Sequence, residues 1–201
     1  MKRTVWTILA FFTVTVARAS DLATTFHFNP TLSREVNPFV ALVGGSTTSL
    51  LLSNLFGLVL LLYIPLLLYW RVPLRRLDVV PATVRDFASL LLYGRVLARG
   101  QFLRACLLGS PLPKHWIQVL RLWGFAGCWT VAFGSFLAAF SWWAVSGWQW
   151  TWYQAFRSYL APGNYPVVEL LACIPVGYLA AVAFFRTEFS EFKSQTPSRE
   201  T

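Results

Sequence analysis

Long apolar runs separated by short polar segments form the pattern of this chain and predict helices that cross a membrane. The clearest run extends from Leu50 to Trp70, 21 residues without a charged side chain. At 1.5 Å per residue, a helix of that length crosses the roughly 30 Å of bilayer hydrocarbon, and Pro65 predicts a kink in it. The runs predict four transmembrane helices, at residues 5–28, 40–70, 122–145 and 166–185. The predicted fold is an all-α integral membrane bundle, with one membrane domain over 1–185 and a polar cytoplasmic tail over 186–201.

The first apolar run, Val5 to Val16, has two interpretations. A basic start, twelve apolar residues and the small-x-small sequence Ala17-Arg18-Ala19 form the pattern of a cleaved signal peptide. A helix that continues to Phe28 is also long enough to span the membrane, and in it Arg18 and Asp21 lie three residues apart, where they can pair. We favour the retained span, and the signal peptide stays open as the alternative.

The segment 71–121 is basic and holds nine of the 17 lysines and arginines. Between Phe87 and Leu108 leucines alternate with arginines, and no uncharged stretch reaches the length of a span. This pattern predicts one amphipathic helix on the membrane surface, with Arg95, Arg99 and Arg104 directed toward lipid headgroups. A cytoplasmic helix packed on the bundle is the alternative.

Composition and charge exclude the soluble classes and predict an orientation. Charged residues make up 12% of the chain, against roughly 25% in a soluble domain. Despite the net charge of +9, the basic residues lie at the ends of apolar runs, so we expect no nucleic-acid partner. With the N-terminus inside, 14 lysines and arginines lie on the inner side and two on the outer side. This bias predicts a bacterial inner-membrane protein with both termini in the cytoplasm, and tryptophans between 142 and 152 mark the outer interface.

Small residues recur at three- and four-residue spacing on three of the predicted spans. Such stripes allow helix backbones to approach closely in lipid, so we expect them to pack the bundle, with a binding cleft as the alternative. The predicted packing residues are Ser46, Ser49, Ser53 and Gly57 on the second span, Ala126, Thr130, Gly134 and Ala138 on the third, and Cys173, Gly177 and Ala181 on the fourth.

Several polar residues fall at similar depth near the outer interface and form a candidate polar site. Ionisable groups in a span cost roughly 2.5–3.5 kcal/mol to insert, so their presence asks for a reason. A cation, proton or polar-substrate site is one reason. The other is structural: Asp21 pairs with Arg18, and Glu169 lies at a helix N-terminus. The candidate residues are Asp21, Thr24, Thr25, His27, Glu35, Asn37 and Glu169.

The sequence Asp21-x-x-Thr24-Thr25, followed by Glu35-x-Asn37-Pro38 before a long apolar run, resembles a family of small prokaryotic integral-membrane proteins. The match covers roughly residues 5–70. The resemblance implies about four spans, with the Asp-x-x-Thr part in a retained first helix, and it implies no particular activity. The basic segment and the tryptophans are outside it.

Three functional hypotheses from different classes follow. The first is a non-catalytic accessory or assembly protein that binds other membrane proteins or itself within the bilayer. The second is a small oligomeric transporter or channel that uses the outer carboxylates. The third is an enzyme at the membrane interface. The two histidines, His27 and His115, are predicted on opposite sides, the three cysteines have no metal-ligand spacing, and we expect no metal and no cofactor.

Overall fold

The computed structural model describes residues 2–32, 46–77, 79–160 and 167–195, and this part of the chain forms seven helices. Four of them, α1, α2, α5 and α7, are long and apolar enough to cross a membrane. The predicted all-α membrane fold is therefore confirmed. The helices are α1 (Lys2–Phe28), α2 (Thr47–Arg71), α3 (Val84–Tyr93), α4 (Arg99–Leu108), α5 (Trp116–Gly147), α6 (Thr151–Leu160) and α7 (Val167–Gln195).

The four spans share one apolar core around α5, which contacts each of the other three. The core joins Val14 of α1, Tyr69 of α2, Phe125 of α5 and Phe184 of α7. The rings of Phe125 and Phe184 lie 6.0 Å apart, and both are within 6 Å of Tyr69. Ala10, Val14 and Ala17 of α1 are buried in this core, and the retention of the first apolar run stays a prediction.

The proline in α2 is accommodated by a π-helical segment, Gly57–Tyr63, where the sequence predicts a kink. The N–H of Ile64 donates to the carbonyl of Val59, five residues back, as is usual for a π-helix. Trp123 of α5 contacts this segment, since its indole Nε1 donates to the Leu61 carbonyl at 2.6 Å. The next residue, Gly124, lies so close that a Cβ would fall 2.2 Å from the Pro65 backbone. The π-helical segment and Pro65 thus form the place at which α5 docks on α2.

Two of the predicted small-residue stripes face each other between α5 and α7. A Cβ on Gly134 would lie 2.8 Å from the Cys173 sulfur, and one on Gly177 would lie 3.1 Å from the Thr130 hydroxyl. Their neighbours on the stripes, Ala126, Ala138 and Ala181, are buried or half-buried. The small side chains let these two spans pack closely.

The predicted single amphipathic helix between 87 and 108 is wrong, because Gly94 interrupts it. Gly94 has φ 72°, a left-handed conformation that glycine adopts without strain, and it ends α3. α3 is packed on the bundle, with Phe87 fully buried against Phe189 and Phe192 of α7. The first half of the segment, α3, therefore agrees with the alternative prediction of a helix packed on the bundle. The second half, α4, has an exposed outer face.

Two further boundaries differ from the predictions. α7 continues through Arg186 to Gln195, so the first half of the predicted tail extends the fourth span. The aromatic segment after α5 forms an additional helix, α6. It is fixed by the hydroxyls of Tyr153 and Ser141 at 2.6 Å and by Arg157, whose Nη2 lies 3.3 Å from Glu169.

Candidate functional site

A polar junction inside the bundle joins three of the four spans at Arg18, and we call Arg18, Asp21, Asn54 and Ser135 the Arg18 junction. The Arg18 guanidinium donates to Asp21 at 2.6 Å through Nη1, and the same atom donates to the Ser135 hydroxyl at 3.1 Å. Its Nη2 donates to the Asn54 side-chain oxygen. The Asn54 amide in turn donates to the Leu50 carbonyl at 2.8 Å. α1, α2 and α5 are thereby connected through one cation.

The junction lies well inside the membrane-spanning length of α1. Arg18 follows Arg3, the first residue of the span, by 15 residues, about 22 Å along a helix. A charge at such a depth is stabilised by pairing with an opposite charge and with oriented amide and hydroxyl groups. The contact with Asp21 is the pairing that the three-residue spacing predicts. The hydrogen bonds from Arg18 to Asn54 and Ser135 arise only because the other two helices pack against α1.

An open-sided groove with a volume of about 910 Å³ lies beside the Arg18 junction. Most of its wall is α2, from Ser49 through the π-helical segment, and Trp123 and Val131 of α5 form another side. Arg18 and Asn54 place polar groups at one part of an otherwise mainly apolar wall. A mostly apolar concavity with a few convergent polar groups is the usual form of a binding site.

Gly57 sits on this groove and differs from the other glycines described in the spans. Those five, Gly124, Gly127, Gly134, Gly147 and Gly177, would each place a Cβ within 4 Å of a side chain or backbone of another helix. Among the described residues Gly57 has no such atom within 4 Å, and its φ of −59° is ordinary for a helix. Neither packing against the described helices nor a left-handed backbone therefore requires a glycine at this position.

The candidate polar residues occupy different surroundings. Asp21 belongs to the Arg18 junction, and the Thr24 hydroxyl donates back to the α1 carbonyls of Ser20 and Asp21 at 3.0 and 2.9 Å. Thr25 is buried, and exposed His27 stacks on Trp143 with ring centroids 5.8 Å apart. Glu169 is buried and paired with Arg157 of α6. Glu35 and Asn37 lie outside the described residues, so convergence of the whole set stays a prediction.

The most deeply buried charges belong to a second cluster, which sequence reasoning missed. Arg121 of α5 and Glu188 of α7 are both fully buried, with Nη2 and Oε2 2.8 Å apart. Arg3 of α1 donates to the same Glu188 oxygen at 3.1 Å and also pairs with Glu191. The Arg121 guanidinium donates to Gln118 at 2.6 Å and lies 5.9 Å from the Tyr69 ring. We call these residues the Arg121 network.

Glu188 was predicted to lie in the polar cytoplasmic tail over 186–201, and its full burial inside the bundle makes that prediction wrong for this residue. One sequence signal pointed the other way, since Phe184 and Phe192 are each four residues from Glu188 and share its helical face. Arg121 was counted as part of the basic segment, yet it lies inside α5. It therefore neutralises a buried carboxylate.

The described residues provide no obvious place for a metal ion, because no group of three or more His, Cys, Asp or Glu side chains among them could hold one. Comparison with known proteins adds no relationship. No protein-family model matches the chain, and neither a curated protein nor a solved structure matches it significantly.

Proposed function

We propose that this is a non-catalytic assembly protein that binds a transmembrane helix of another membrane protein in the groove along α2. The single observation that carries the proposal is Gly57, a small residue on the groove at which an added Cβ would meet no atom of the described residues within 4 Å. The bilayer is the surrounding medium, and the bound helix takes the place of lipid against α2.

The first support comes from the charged residues. Every carboxylate that the structure describes within the spans is paired with arginine: Asp21 with Arg18, Glu169 with Arg157, Glu188 with Arg121, and Glu191 with Arg3. A paired carboxylate is stabilised in its charged form and is less available to accept a transported ion. Transport or catalysis by the outer polar residues stays a prediction that depends on Glu35 and Asn37.

The second support is the kind of surface that the groove presents. Ser49, Ser53 and Gly57 follow one another at four-residue spacing along its wall. Spacing of this kind lets a neighbouring helix approach closely in lipid, where contact between backbones and small side chains drives association. An acyl chain gains less from such a stripe, because it presents no complementary backbone surface.

Orientation and location complete the proposal. The strong excess of basic residues on the α3–α4 side supports an orientation with both termini in the cytoplasm and suits a bacterial inner membrane. In that orientation α2 enters from the outer side, and the groove opens to lipid from near the outer surface to beyond the middle of the bilayer.

Site-specific photocrosslinking in native membranes tests the proposal. A photoreactive phenylalanine analogue is placed at Leu55 or Val59, which line the groove, and at Leu170 of α7, which is exposed and lies away from it. We expect one discrete protein adduct from the groove positions and none from position 170. A second substitution, Gly57→Leu, is expected to abolish the adduct, while Ala183→Leu on the exposed side of α7 leaves it unchanged.

The adduct mass separates the possible occupants. A shift equal to one further chain of 22.8 kDa would show that the occupant is a second copy of this protein. Crosslinks only to lipid at both groove positions would contradict the proposal. So would an adduct that survives Gly57→Leu undiminished.

A further inference from the structure

The outward face of α4 carries basic and apolar side chains that the groove does not use. Arg99, Leu103, Arg104 and Leu108 are all exposed, as is Arg95 just before the helix. Leu103 and Leu108 are 58% and 73% exposed, an unusual degree for leucine unless lipid or a partner covers it. The five residues form what we call the α4 patch.

The packing of α4 holds this patch at the level where the spans end. Leu97 and Ala105 are buried in a small cluster, against which Phe102, Val119 and Phe185 pack. Val119 lies in the first turn of α5, and Phe185 lies in α7, so α4 is attached to two transmembrane helices near their ends on one side of the bundle. Residues on the opposite face of α4 are therefore positioned at the membrane surface.

The charges of the α4 patch are not balanced by carboxylates of the described chain. The five described carboxylates are all paired with other arginines: Asp21 with Arg18, Asp86 with Arg85, Glu169 with Arg157, Glu188 with Arg3 and Arg121, and Glu191 with Arg3. No acidic residue occurs anywhere between Asp86 and Glu169 in the sequence. The patch is thus a cationic surface whose counter-charge must come from outside the described chain.

We propose that the α4 patch binds anionic phospholipids of the adjacent leaflet. Arg95, Arg99 and Arg104 contact headgroup phosphates, and Leu103 and Leu108 insert into the acyl boundary between them. Alternating basic and apolar side chains on a face held at the interface are the features that bind such a surface. The groove plays no part in this binding, so the two proposals stand or fall separately.

The test is a titration of the full-length protein in a non-ionic detergent. A fluorophore sensitive to polarity is attached to Cys106, which is exposed on α4, in a Cys173→Ala background, while Cys128 is fully buried and does not react. Dioctanoyl-phosphatidylglycerol is the anionic probe and dioctanoyl-phosphatidylcholine the zwitterionic one. We expect saturable binding of the anionic lipid, weakened by added salt because ions screen exposed charges.

The variant Arg95→Gln/Arg99→Gln/Arg104→Gln should weaken this binding by about 100-fold, since each basic residue near an anionic surface contributes about fivefold. The matched triple substitution to lysine keeps the charge and should retain most of the affinity. Leu103→Gln/Leu108→Gln should weaken binding of the lipid while leaving its salt dependence intact.

Several outcomes would overturn the proposal. They are equal binding of both lipids, an undiminished titration in the glutamine variant with unchanged circular dichroism, or an equal response to inorganic phosphate. If the glutamine variant does not fold, the lysine variant and the salt dependence of lipid binding by the unmodified protein still test the proposal. Binding of RNA in preference to the anionic lipid would assign the patch to a different partner.

Discussion

Arg18 and Arg121 both lie inside transmembrane helices of this protein, and their surroundings differ in one respect. Arg121 is fully buried, and its network draws on all four spans, through Arg3, Tyr69, Gln118 and Glu188. Arg18 has a carboxylate, an amide and a hydroxyl as partners, but its side chain remains 23% exposed and lines a groove. Both charges are compensated, yet only the Arg121–Glu188 pair is fully buried.

The difference distinguishes a structural role from the proposed role in binding. A closed, fully buried ion pair adds to the uniqueness of the packing and loses much when one partner is removed. A compensated charge beside an open groove stays available to orient something that enters from the lipid. Stability and interaction measurements should therefore respond in opposite ways at the two places.

The largest effect is expected from Arg121→Met. Removing one member of a buried pair costs about 3–5 kcal/mol, and the fully buried Glu188 would keep only Arg3, whose side chain is 17% exposed. The free energy of unfolding in mixed dodecyl maltoside and SDS micelles would measure this loss. In the double variant Arg121→Met/Glu188→Leu most of the lost stability should be recovered, since Glu188 is then absent and no buried carboxylate lacks its Arg121 partner. A double variant as unstable as the single one would contradict the closed-pair interpretation.

A smaller effect is expected where α5 crosses the proline of α2. In Gly124→Ala the new methyl group meets the Pro65 backbone, which cannot move aside as a flexible side chain can. Forced overpacking of this kind costs about 1–3 kcal/mol. The matched substitution Gly57→Ala meets no atom and should change the unfolding free energy little. Equal losses in the two variants would show that Gly57 is needed for α2 itself.

Removing a single hydrogen bond at the Arg18 junction should cost less again. In Asn54→Leu the guanidinium keeps Asp21 and Ser135, so only one bond between spans disappears. Such bonds in membrane bundles are worth about 0.6–1.7 kcal/mol, and the same micelle titration would resolve this. A loss as large as that of Arg121→Met would mean that the Arg18 junction is a structural centre equal to the Arg121 network.

The smallest change in stability and the clearest change in association are expected from Gly57→Leu. A Cβ at this position meets no atom of the described residues within 4 Å, so we expect the leucine side chain to enter the groove and the unfolding free energy to stay within about 0.5 kcal/mol. The photocrosslink at Val59 should nevertheless disappear. A folded variant that keeps the crosslink would assign the groove no role in partner binding.

Much of the architecture follows directly from the sequence because a bilayer imposes simple rules. A span must be long, apolar and helical. The hydropathy of the individual residues is therefore enough to recognise the runs around 5–28, 50–70, 122–145 and 166–185. The pairing of Arg18 with Asp21 is equally local, since a three-residue spacing places both on one face. The turn at Gly94 was missed because leucines and arginines continue across it, and a single glycine is a weak signal against that periodicity.

The sequence by itself determined the class of fold, the number of spans and the first partner of Arg18, all of which depend on composition and short-range spacing. Only the tertiary structure decided that Glu188 is buried with Arg121, that Trp123 donates to the Leu61 carbonyl, and that a Cβ on Gly57 would meet no atom of the described residues. These facts depend on how helices 50 or more residues apart in sequence rotate against one another. The hydropathy of a span does not predict that rotation, because side-chain shape and hydrogen bonding between the helices decide which faces meet in lipid.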